Sequence, residues 1–158
     1  MTYRALRSLS YCLASVLPAA CSTASPPAPA FVSVGAALPA NWPTPAAVAA
    51  GQPAKPLALH FSTLDVPLGS EWSGQLVTTT NAASVELMTN LFSLWPVRDA
   101  PGRFHFRYRV FDLPPFLVRG YKLRVFVRDA QGRKSETDVP FRLSGRAPFR
   151  QTPAPDSD

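Results

Sequence analysis

Cysteine is nearly absent: Cys12 and Cys21 both fall within the first 21 residues of a 158-residue chain. Nothing after them can build a disulfide framework or a thiolate metal site. Histidine is as scarce, with only His60 and His105, and neither has a partner at metal-ligand spacing. No G-x-S-x-G nucleophile elbow occurs, and no spacing argues for paired-carboxylate chemistry among Asp65, Glu71 and Glu86. The sequence therefore points to no catalytic residue, no metal site and no cofactor. Charged residues make up only 16% of the chain, too few for a solvated, self-repelling polymer. No apolar run approaches the roughly 20 residues that span a bilayer as a helix.

What is present begins with a leader pattern. Arg4 and Arg7 stand without acids before the apolar stretch Leu9 to Leu17, and Pro18-Ala19-Ala20 follows. This positive, apolar, small-residue order reads residues 1–20 as a signal peptide and places the protein outside the cytoplasm. The run Leu17-Pro-Ala-Ala-Cys21-Ser22 resembles the lipobox of bacterial lipoproteins, which implies a lipid anchor on Cys21 and through it a membrane partner. Ordinary cleavage after Ala20 or Ala24 is the alternative and leaves a soluble product.

Residues 23–56 hold 8 prolines and 11 alanines, with Lys55 as the only charge. Proline lacks an amide donor and restrains its neighbour, so residues 21–56 read as a largely disordered Pro/Ala-rich tether. Within it Phe31 to Val34 is a strand candidate, Pro45 to Ala50 one or two helical turns, and Trp42 a residue that docks on the following domain.

After Pro56 the period becomes two. Phe104, Phe106, Tyr108 and Val110 alternate with His105, Arg107 and Arg109, and Tyr121, Leu123, Val125 and Val127 alternate with Lys122, Arg124, Phe126 and Arg128. Both stretches predict half-buried strands. Further strands are expected over 57–62, 74–79, 83–88, 91–95 and 137–143. About seven strands without an amphipathic helix predict an all-β fold, an antiparallel β-sandwich over residues 57–145 followed by a disordered tail, 146–158. Asp129-Ala-Gln-Gly132 fits a short hairpin connection, and Pro101-Gly102 marks another reversal.

The runs Val66 to Gly74, Ala83 to Leu87, Gly102 to Phe106 and Gly120 to Val125, with Asp129 to Gly132, resemble the small immunoglobulin-like domains of bacterial surface and periplasmic proteins. The resemblance implies an immunoglobulin-like sandwich in which Tyr121 forms the structural tyrosine corner before strand F. It implies a surface context and no particular ligand.

Residues 98–150 carry 13 basic and 5 acidic side chains. Arg107, Arg109, Lys122, Arg124 and Arg128 are therefore candidates for an anion-binding face. In this topology the first two lie on one sheet and the other three on the opposite one, and Glu136 and Asp138 are expected to pair with the second row. Trp72, Trp95, Phe116 and Phe126 are candidates for a partner surface. The expected function is an exported, non-catalytic envelope module for protein contact or adhesion; the alternative is an accessory module binding a glycan or anionic polymer. Export and the absence of a reading motif argue against nucleic acid.

Overall fold

The computed structural model describes residues 31–49 and 51–146. The signal peptide, Cys21 and residues 147–158 of the tail lie outside the described residues. Alternating side chains commit the chain to strands, and the short prolyl and glycyl links between them commit those strands to two packed layers.

The first sheet runs in the order β1 (Phe31–Val34), β2 (Pro56–Phe61), β4 (Glu71–Thr78), β8 (Arg103–Arg109), β7 (Val97–Ala100). The second runs β3 (Asp65–Pro67), β10 (Lys134–Ser144), β9 (Gly120–Asp129), β5 (Ala82–Met88), β6 (Ser93–Leu94). Pairing is antiparallel except at β1 with β2 and at β3 with β10. With β2 as strand A, the layers are A-B-E-D and G-F-C, extended by short A′ and C′ strands: an immunoglobulin-like β-sandwich.

Inward side chains of both sheets make one core. Trp72 on β4 is fully buried and stacks between Phe61 and Phe141, with ring centroids 5.7 and 5.6 Å apart, while Phe106 meets its edge at 4.9 Å. Its indole N–H donates to the Thr63 carbonyl at 2.9 Å, so the one polar atom of the ring is satisfied. Gly74 makes this packing fit: a Cβ there would lie 2.5 Å from the Phe106 ring and 2.6 Å from the His60 carbonyl oxygen. The Tyr121 hydroxyl donates to the Leu117 carbonyl at 2.7 Å, tying the loop and its 3-10 turn (Pro115–Leu117) to the start of β9. Gly132, at φ +79°, turns β9 into β10.

The domain starts well before residue 57. Residues 31–49 and 51–56, expected to be a tether, supply the edge strand β1 of the first sheet and then a strap that runs past His60 to the β9–β10 turn before β2 begins. Gly35 N–H donates to the Phe61 carbonyl and Thr80 N–H to the Ala46 carbonyl, both at 3.0 Å. The Trp42 ring stands edge-on to His60 at 5.8 Å. Ser135 Oγ donates to the fully buried Ala54 at 2.5 Å, and the Arg133 guanidinium reaches the Gly51 and Gln52 carbonyls. Composition made this stretch look disordered because proline denies it its own ladder; its carbonyls are satisfied instead by donors of the folded sandwich. Residues 45–49 are not helical, since the Ala46 carbonyl is engaged by Thr80 rather than by a turn of its own. At the other end Arg146, assigned to the tail, is ion-paired with Asp112.

Candidate functional site

Outward residues of β2, β4 and β8 form level rows across the first sheet. Register places Ser33, His60, Gln75 and His105 in one row, and Ser73 beside Arg107 in the next, with Ser62 across from Ser73. Ala58, His60 and Val77 point away from the core yet are buried, and His60 lies beneath Ser33 and the Trp42 ring of the strap. Where the strap ends, the short side chains of Ser62 and Ser73 leave a groove of about 530 Å³, walled by Ala36 and Leu38 on one side and by Asp99, His105 and Arg107 on the other. A second depression of about 240 Å³, lined by Trp95, Val97 and Tyr108, shares His105, Phe106 and Arg107 with it.

Polar groups in the groove are arranged in separate pairs. Asp99 accepts from His105 Nδ1 at 2.7 and 2.9 Å. Ser33 Oγ lies 2.9 Å from His60 Nδ1. A serine-type triad needs one imidazole bonded to both a hydroxyl and a carboxylate. Here the hydroxyl and the carboxylate are held by different imidazoles, two strand spacings or roughly 10 Å apart, with Gln75 between them. Among the described residues no three His, Cys, Asp or Glu side chains converge as a metal site.

The candidate cations do not converge. Arg107 and Arg109 belong to β8 of the first sheet, and Lys122, Arg124 and Arg128 to β9 of the second. Arg107 pairs with Glu71 at 3.0 Å, Lys122 with Asp138 at 3.1 Å and Arg128 with Glu86 at 2.7 Å. Glu86, rather than the expected Glu136, neutralises the far end of the second row, because β5 flanks β9 on the side away from β10. Among the described residues Arg109 and Arg124 form no ion pair. They stand on opposite faces of the sandwich, so an anion meeting one is screened from the other.

Two of the four candidate aromatics are not surface residues. Trp72 is the core tryptophan, placed on strand B; the expectation failed because the strand was expected to start at residue 74, whereas β4 already begins at Glu71. Phe126 does point outward but is only 6% exposed, roofed by Lys134 at 5.1 Å and Arg128 at 5.9 Å from its ring centre. Long cationic side chains cover it with their stems. Trp95, at 61%, and Phe116 are exposed.

At the β9–β10 turn burial works to raise the Asp129 pKa, but hydrogen bonds from the Arg133 side chain and from the Arg133 and Gln131 amides, with the Arg133 charge, bring it below the usual carboxylate value. Burial raises the Tyr108 hydroxyl. Neither group lies among the paired side chains of the groove, and Asp129 serves to lock the hairpin against the strap through Arg133.

Topology and site together define an immunoglobulin-like β-sandwich module with a strapped, grooved face. No family model and no curated protein sequence matches the chain. Among solved structures, the fibronectin(III)-like modules of Clostridium thermocellum CbhA are similar to it, at 10% identity and a TM-score of 0.38, over 55% of this chain and 96% of that chain.

Proposed function

We propose that this chain is an exported, non-catalytic immunoglobulin-like module of a bacterial cell envelope that binds another protein by strand addition at β1. The observation that carries the reading is the state of the four sheet edges. β3 has three residues and ends in Pro67, β6 has only two, and β7 is broken by a register shift beside exposed Arg98 and Asp99. Short length, proline, bulges and charge are the devices that stop edges from pairing. β1, Phe31-Val-Ser-Val34, has none of the chemical ones: its side chains are uncharged, and Val34 is 52% exposed. Among the described residues nothing pairs with its outer edge. Main-chain groups along that edge suit an extended partner strand, with Val32 and Val34 supplying the apolar contacts.

The leader pattern of residues 1–20 supports export, and the lipobox-like run supports an anchor on Cys21. Nine residues separate Cys21 from Phe31, so an anchored module reaches at most roughly 35 Å from its membrane. The partner is then another protein of the same envelope.

The test is site-specific photocrosslinking in the native host, with the reactive side chain at position 34 and, as control, at position 122 on the other sheet. A discrete adduct with one exported protein from position 34 alone, lost on Val32→Lys, is the expected result. Equal adducts from both positions, or none from position 34, would overturn the reading. Membrane partitioning beside Cys21→Ala checks the anchor in the same cells.

A further inference from the structure

We infer that the groove on the outer face of the first sheet is a binding site for a neutral polysaccharide segment, with Trp95 as its stacking platform and Gln75 and Ser73 as its principal hydrogen-bonding groups. The site is independent of the β1 edge.

Charge balance selects the ligand class. The charged side chains of the groove are held locally, Arg107 by Glu71 and Asp99 by His105 Nδ1. Neither charged group is left without a partner, and neither contact has to be broken for a neutral molecule to enter. What remains unmatched is neutral and polar. Gln75 is exposed, and its amide makes no side-chain hydrogen bond among the described residues; the same holds for the Ser73 hydroxyl, while the Ser73 backbone is engaged with Ser62, its N–H donating to Oγ at 3.2 Å and its carbonyl accepting from the N–H at 2.9 Å. An amide offers two donors and an acceptor, and a hydroxyl offers both roles. That mixture suits a polyol, each hydroxyl of which also donates and accepts.

Shape and the aromatic end complete the match. The two depressions share His105, Phe106 and Arg107 in their linings, so Trp95 stands just beyond the side chains that wall the groove opposite Leu38. A pyranose ring has polar edges and apolar C–H faces; an indole that is 61% exposed presents a flat apolar surface for such a face. An extended peptide is served less well. The floor is a sheet face whose backbone groups are already paired in the ladder, leaving none to hold a peptide main chain. The strap builds one wall, so the stretch that composition marked as a spacer shapes the site.

The experiment is affinity electrophoresis of the full chain in gels containing hydroxyethyl cellulose, xylan, galactomannan or dextran, with alginate as the anionic contrast. Expected is retardation by at least one neutral polymer that is unchanged between about 0.05 M and about 0.5 M salt. Trp95→Ala should weaken it about tenfold and Gln75→Ala severalfold. Both residues are exposed, so both variants should keep the wild-type circular dichroism. In titrations with an oligosaccharide of the retarding polymer, the Trp95 indole and Gln75 side-chain N–H resonances should shift. Retardation by none of the neutral polymers overturns the inference. So does retardation by alginate alone that disappears with salt, or binding that both variants retain. Val32→Lys should leave the retardation intact, and Trp95→Ala should leave the position-34 crosslink intact, which separates the fate of this site from that of the β1 edge.

Discussion

The outer faces of the two sheets obey the same alternation and end up as different surfaces. On the second sheet Lys122 and Arg128 are neutralised by acids of the flanking strands, and Phe126 is roofed by cations. That face is covered by its own side chains, with Arg128 Nε the one buried side-chain donor left without a hydrogen-bond partner among the described residues. On the first sheet His60 is buried beneath Ser33 and Trp42, and the groove opens beside it with Ala36 and Leu38 of the strap in its wall. A solvated sheet face can thus be finished from within by charge pairing or from without by a covering segment, and only the second way builds a cleft.

The largest way to break that contrast is at the centre of the first sheet. Gly74→Ala sets a methyl against the Phe106 ring and the His60 backbone, neither of which can withdraw without moving a strand. It should cost about 3 kcal/mol of unfolding free energy in urea titrations. A change of less than about 0.5 kcal/mol would mean that β4 and β8 pack more loosely than their register implies.

Removing the cover should cost less and act on one sheet alone. Trp42→Ala deletes a half-buried ring, for about 1 to 2 kcal/mol. Amide exchange should accelerate at Gly35 and Thr80, which donate across the strap contact, while protection at Val125 and Val127 in β9 stays as in the parent. Uniform acceleration in both sheets would show that strap and sandwich open as one unit.

The smallest effect is confined to acid. The Asp129 pKa is lower in the folded chain than its ordinary value of 3.8, so the folded state holds its proton less tightly than the unfolded state. The associated stability is present above about pH 4 and is lost as pH falls through the depressed folded value. Asp129→Asn should be less stable at neutral pH, and the gap to the parent should narrow steadily below about pH 4 in urea titrations. A gap independent of pH would assign the role of Asp129 to shape rather than charge.

Much of the sandwich was legible because burial imposes a period of two on half-buried strands. Alternation at 104–110 and 121–128 located β8 and β9 to within a residue or two, and Phe31 to Val34 coincides with β1. β7 went unrecognised because a four-residue edge strand with a bulge has too few positions to show a period. Trp72 was misplaced because local turn residues hid the start of β4. The groove was not legible at all: Ser73 and Gln75 belong to β4, His105 to β8, and Ser62 follows β2, and nothing local says that they meet on one face.

The sequence by itself determined the all-β class, the division of side chains into inward and outward sets, and the absence of a disulfide scaffold, since these follow from local periodicity and residue supply. The tertiary structure alone decided that a proline-rich stretch becomes the wall of a cleft and which cations find acids. Those outcomes depend on register between distant strands and on where unsatisfied carbonyls meet donors, and neither is encoded within any single segment.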